Sequence, residues 1–191
     1  MRSRMRFAGV LSLPMAALML SVSGWAESLT VTKVSGEVQA TPVAGSAVAL
    51  KQGDTVGPGT VVRTGRDGRM TAEFDAQDTI EVYPESRFEL EPRVSRKAAQ
   101  GTALLLHSGR VGSVLNNWPA GKTYAVTSSV GAFSAKGTEY DSAYQLGPVG
   151  EFVGGATVTR GEVEYTCPEL TVPWITAGGA LSVTRIVGMD G

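Results

Sequence analysis

Histidine and cysteine are almost missing from this chain: one of each, His107 and Cys167, in 191 residues. A zinc site draws three or four ligands from His, Cys and carboxylates, so no metal is expected. A single cysteine excludes an intramolecular disulfide and leaves Cys167 either buried or paired with another chain. Its neighbours Tyr165 and Pro168 suggest a strand end, and burial is the expectation. A Ser-His-Asp triad needs an imidazole held by an acid and touching a nucleophile. Nothing in the sequence sets a Ser and an Asp beside His107, and there is no Gly-x-Ser-x-Gly elbow. No catalytic residue and no cofactor are expected. Also missing, from Leu50 to Leu90, is any helix-length apolar stripe, which turns attention to strands.

The N-terminus carries Arg2, Arg4 and Arg6, then an apolar stretch from Phe7 to Val22, then Ser23-Gly24-Trp25-Ala26. A basic start, a short apolar core and small residues at a cleavage point describe a secretory signal peptide, residues 1–26, cut after Ala26. The stretch contains Ser12, Pro14 and Ser21 and is shorter than the ~20 apolar residues of a comfortable membrane span. Without a cysteine near the cut, a lipoprotein anchor is excluded. Export to the periplasm is the expected localisation, with membrane attachment only if the leader stays uncleaved. The leader removes three of the 17 basic residues and none of the 18 acidic ones. The mildly acidic remainder, 27–191, does not suggest nucleic acid as a partner. It has the length of one domain.

The run from Leu50 to Leu90 is the most informative. Its apolar residues share one parity: Met70, Ala72, Phe74, then Ile80 and Val82, then Phe88 and Leu90. The other parity holds Arg69, Thr71, Glu73, Glu81, Arg87 and Glu89. Side chains alternate faces along a strand, so one face enters a core and the other stays wet. The breaks at Asp75–Asp78 and Pro84-Glu85-Ser86 are turn chemistry. Further strands are expected over Val31–Gln39 (pivoting at Gly36), Thr60–Thr64, Thr102–Leu106, Arg110–Leu115, Lys122–Thr127, Glu139–Tyr144, Ala156–Arg160, Glu162–Tyr165 and Ala180–Val187. One irregular helical turn is expected over Arg96–Gln100. Many short strands at this spacing indicate an all-β sandwich, barrel or solenoid.

The same residues resemble the FecR-type domain of exported bacterial proteins and transmembrane sigma-factor regulators. The resemblance rests on Leu50-x-x-Gly53-Asp54, Pro58-Gly59, Val61-x-x-Thr64-Gly65-x-x-Gly68, and Phe74 through Phe88-x-Leu90. It extends to Val34-Ser-Gly36-Glu-Val38, Ser108-Gly109-Arg110-Val111, Ala135-Lys-Gly137-Thr138-Glu-Tyr140-Asp141, Gly161-Glu-Val163 and Ala177-Gly178-Gly179. It implies a single domain that is a compact two-sheet roll or sandwich with solenoid-like stacking of short strands. Gly53, Asp54, Pro58, Gly59, Thr64, Gly65, Gly68, Gly137 and Thr138 would be its structural motif residues.

Other patterns read as structure. Asp75, Asp78 and Glu81 are spaced by three, which puts successive members on opposite strand faces. Gly131 to Thr138 superficially resembles a phosphate loop, but that motif needs Gly-Lys-Ser/Thr opening a helix; here the order is Lys136-Gly137-Thr138 and a strand follows. The basic cluster Arg87, Arg93, Arg96 and Lys97 reads as a solvated connection rather than an anion site. Trp118, Trp174, Tyr124, Tyr140 and Tyr144 either pack or stack on sugar rings, with Trp118 the one weak binding candidate. The expected function is that of a non-enzymatic envelope module contacting an unknown protein, by strand addition at a sheet edge or by loop contacts. The alternative is a carbohydrate or peptidoglycan binder. Six residues before the apolar stretch leave no room for the sigma regulators' cytosolic domain, so direct sigma-factor control is not expected. Nor is TonB-receptor coupling, since no secretin-like C-terminal domain is recognisable.

Overall fold

The computed structural model describes residues 28–74, 78–91, 100–116, 122–135, 138–146, 152–167, 171–176 and 178–185. The leader, Trp118, Gly137, Arg93 and all of the expected helical turn except Gln100 lie outside them. The chain is all-β, with no helix among the described residues. Its strands are β1 (Leu29–Ser35), β2 (Val38–Thr41), β3 (Val48–Ala49), β4 (Thr55–Val56), β5 (Val61–Thr64), β6 (Arg69–Glu73), β7 (Thr79–Val82) and β8 (Arg87–Leu90). There follow β9 (Gln100–Val114), β10 (Lys122–Ser128), β11 (Gly131–Ala135), β12 (Glu139–Leu146), β13 (Phe152–Arg160), β14 (Glu162–Thr166), β15 (Thr171–Thr176) and β16 (Ala180–Arg185).

Hydrogen bonds join these strands into one large mixed sheet that does not close on itself. Strand β9 organises it by changing partners along its length. Its first part pairs with β8 and, in the single parallel pair among the described strands, with β10. Its second part pairs with β7 and β12. One set of strands therefore runs β3-β2-β5-β8-β9-β10-β11-β14-β15, and another runs β4-β1-β6-β7-β9-β12-β13-β16.

The alternation between Leu50 and Leu90 sets the burial. Met70, Ala72, Ile80, Val82 and Phe88 are fully buried, Leu90 nearly so, and the opposite parity is exposed or half-buried. Each large side chain removed from water in this way contributes on the order of 1.5–3 kcal/mol. Phe74 is only half-buried; it meets Tyr124 edge-on, ring centroids 5.6 Å apart.

The two strand sets touch through aromatic and hydroxyl groups. The Tyr124 hydroxyl on β10 lies 2.9 Å from Ser113 Oγ on β9. Tyr140 on β12 stacks edge-on against Tyr124 and donates to the carbonyl of Phe133 on β11. A buried tyrosine needs such partners, because an unmet hydroxyl in an apolar core is costly.

Three expectations need correction. Thr102–Leu106 and Arg110–Leu115 are not separate strands; both belong to β9, which passes through Ser108-Gly109 with a register shift against β8. Gly109 has φ +92°, which lets the strand change direction without ending. Second, Gly131 to Ala135 is a full strand, β11, with Phe133 and Ala135 turned into the core. Third, Arg87 lies on the exposed parity of β8, as the alternation expects, so the basic cluster is not one solvated connection.

Candidate interaction surface

Three of the residues singled out by motif, Thr64, Gly65 and Gly68, lie at the level where β9 changes partners. Three connections lie there side by side: Gly36-Glu37 between β1 and β2, Gly65 to Gly68 between β5 and β6, and Tyr83 to Ser86 between β7 and β8. Gly65 N–H donates to the Glu37 carbonyl at 2.8 Å, and Glu85 N–H donates to the Gly65 carbonyl at 3.0 Å. Thr64 Oγ1 donates to the Tyr83 carbonyl at 2.7 Å and accepts from Ser86 N–H at 2.8 Å. Ser86 Oγ in turn accepts from Arg110 N–H at 2.9 Å and lies 3.1 Å from the Arg110 carbonyl. Buried hydroxyls thus tie three separate chain segments together, as buried polar groups require. The packing leaves no room for side chains: a Cβ on Gly68 would sit 2.1 Å from the Glu37 carbonyl oxygen.

The other motif residues are turn devices. Gly53 N–H donates to the Val31 carbonyl, and the Asp54 carboxylate accepts from Lys51 N–H at 2.8 Å. Pro58-Gly59 occupies a reversal closed by Thr60 N–H to the Gly57 carbonyl at 3.2 Å. Thr138 is fully buried, and its hydroxyl donates to the Glu162 carbonyl at 3.0 Å.

His107 is half-buried within β9, its Nε2 3.7 Å from Glu89 Oε2, and no hydroxyl bonds that nitrogen. Cys167 is partly buried and packs against the core. Among the described residues no three His, Cys or carboxylate side chains come together. Tyr124, Tyr140 and Tyr144 are buried, so of the two readings open to them they pack. Each hydroxyl bonds inside the fold.

The outer face of the second strand set carries the most organised polar cluster, and sequence reading missed it. Tyr83 lies between two guanidinium groups, Arg69 on β6 at 4.8 Å and Arg110 on β9 at 4.3 Å from the ring centroid. Each arginine is pinned by a carboxylate at 2.7 Å, Arg69 by Glu81 and Arg110 by Asp141. Asp141 sits on β12, so the cluster spans four adjacent strands. Each cation–π contact at such a half-exposed site contributes about 0.5–1 kcal/mol, and each exposed ion pair no more than about 1 kcal/mol. The stability gain is small, but the side chains are held in one arrangement. Desolvation, then the charges of Asp141 and Glu81, push the Tyr83 hydroxyl above its usual pKa, so it stays a neutral donor at neutral pH. The hydrogen bond that Arg110 donates to Asp141 holds the guanidinium pKa above its usual value. Tyrosine and arginine, held rigid and part-exposed, are the side chains that anchor protein contacts.

Fold and surface together define an all-β chain with a stacked-turn spine and an arginine-clamped outer face. Comparison with protein-family models, with characterised proteins and with solved structures yields no match.

Proposed function

We propose that this chain is an exported, non-enzymatic FecR-type module that works in the bacterial periplasm by contacting another envelope protein. In this reading the strands form a compact two-sheet roll whose turns stack in solenoid fashion. The observation that carries it is the coincidence of motif and spine: Gly36, Thr64, Gly65, Gly68 and Gly109 bear the family resemblance and also lie in the stacked connections or pack directly against them.

Contact by strand addition is favoured at β16. Strands β3 and β4 lie at outer positions but have two residues each, and β15 contains Pro173, which lacks a donor. Among the described strands β16 pairs only with β13; it has six residues and carries neither Pro nor charge before Arg185. A long, uncharged outer strand is a template for another strand.

The test is photocrosslinking in intact cells from position 182 on β16, with position 51 in the Lys51 turn as control. A discrete adduct from position 182, absent from position 51, supports the reading. Retention of the protein in the cytosol, or no adduct from position 182, refutes it.

A further inference from the structure

The strand arginines of the outer face at Tyr83 all have counter-ions: Glu81 for Arg69 and Asp141 for Arg110. Two arginines elsewhere do not. Arg63 on β5 and Arg87 on β8 are direct cross-strand partners, so both side chains leave the same face of the sheet. Both are exposed, and neither has a carboxylate partner among the described residues. Like charges directly opposite in a sheet are destabilising, and the fold leaves this pair uncompensated.

The surroundings suit an anion. The same row continues to Gln39 on β2, opposite Arg63, and to Ser108 on β9, opposite Arg87. Donor, cation, cation and donor thus lie across four strands, which are spaced ~4.8 Å apart. The row lines a concavity of about 840 Å³ that also includes Arg66. Two carboxylates border it, and neither pairs with Arg63 or Arg87: Glu37 accepts from Gln39 Nε2 at 3.0 Å, which occupies one of that amide's two N–H groups, and Glu85 lies 3.7 Å from Arg66 Nε. We propose that the concavity binds an oxyanion group, a phosphate held between the guanidinium groups of Arg63 and Arg87 with the Ser108 hydroxyl as a further donor. Planar guanidinium groups match phosphate oxygens in a way that a lysine ammonium does not. The site lies apart from β16 and does not depend on the function proposed above.

The test titrates inorganic phosphate into the folded protein while the Arg Nε–Hε resonances are followed, with chloride at equal ionic strength as control. Saturable shifts at Arg63 and Arg87 are expected. Arg63→Gln or Arg87→Gln should each lose roughly tenfold in phosphate affinity, the loss of one charged hydrogen-bond set. Arg87→Lys keeps the charge but loses the fork and should also weaken binding. Without phosphate, Arg87→Gln should leave the melting temperature unchanged or raise it, because a like-charge opposition is relieved; a structural role for the pair would lower it. A second arm measures sedimentation with phosphatidylglycerol–phosphatidylethanolamine vesicles. Retention that free phosphate competes away identifies a lipid headgroup as the source, and phosphate binding without retention identifies a soluble one. No saturable shift, or saturation unchanged in both glutamine variants, overturns the proposal.

Discussion

Replacing Gly109 by alanine tests the stacked-turn spine at a point of close approach. Gly109 has φ +92°, a region that costs a residue with a Cβ about 1–2 kcal/mol. The new Cβ would lie 2.3 Å from Ser86 Oγ and 2.4 Å from Ser86 Cα. Rotating the serine side chain cannot clear a backbone atom, so the Tyr83–Ser86 connection has to move. That movement breaks the contacts of the buried Ser86 hydroxyl with Arg110 and the bond from Ser86 N–H to Thr64 Oγ1. Each buried hydrogen bond lost adds on the order of 1 kcal/mol. The total destabilisation should be about 3–5 kcal/mol, a fall in Tm of roughly 10 °C for a domain of this size. Gly57→Ala is the matched control: no positive φ, and no atom within 4 Å of the new Cβ. Urea unfolding of both variants and the parent measures the difference. A Gly109→Ala protein within about 1 kcal/mol of the parent, the range of ordinary surface changes, would refute the close-approach argument.

Glu85 is the one non-glycine residue with positive φ among the described residues, at 56°. Glu85→Gly should therefore stabilise by about 1 kcal/mol in the same unfolding assay, and destabilisation would show that the Arg66 contact outweighs the strain. Phe88→Ala, at a fully buried position, should cost about 3–5 kcal/mol; Phe74→Ala, half-buried, should cost clearly less, and equal costs would contradict the burial pattern. Burial pushes the Tyr124 and Tyr140 hydroxyls above their ordinary pKa; neighbouring Tyr124 adds to the shift at Tyr140, and hydrogen bonds oppose it at both. Above about pH 10 the unfolded chain then releases protons that the folded chain keeps, so this stability is complete below that pH and declines as pH rises. Ultraviolet titration should show tyrosines that ionise only with alkaline unfolding, and ordinary titration of every tyrosine in the folded protein would contradict it.

The burial pattern was readable wherever local period and tertiary face agreed. Met70 to Ala72, Ile80 to Val82 and Phe88 to Leu90 alternate cleanly because one face of each strand is buried and the other is wet. Strand β9 was not readable at its full length, since Ser108-Gly109 has the composition of a turn and only Ser86 shows why the glycine is there. Strand β11 was hidden by Gly131 and the Lys136-Gly137 pair, although Phe133 and Ala135 held the alternation. Tyr124 with Val126, and Tyr140 with Ser142 and Tyr144, also alternate. The partners that satisfy their hydroxyls lie on other strands or turns, so the local pattern could not show them. The Tyr83 cluster leaves no local trace, because Arg69, Arg110 and Asp141 come from separate strands and only the register brings them together.

Spine and surface are joined at Arg110. Its backbone N–H is held by the Ser86 hydroxyl, while its guanidinium reaches Asp141 and covers Tyr83. Tyr83 is fixed from the same side: its N–H donates to the Arg110 carbonyl, and its own carbonyl accepts from Thr64. The clamp is therefore oriented by the buried connections beneath it rather than by its ion pairs, which salt can screen. High salt should loosen the arginine heads yet leave the Tyr83 backbone in place. A change at Gly109 should displace the ring even though Gly109 does not touch it. Nuclear magnetic resonance of the Tyr83 ring separates the two cases: a ring that shifts with salt as much as with Gly109→Ala would mean that the ion pairs, not the stacked turns, set the geometry of this face.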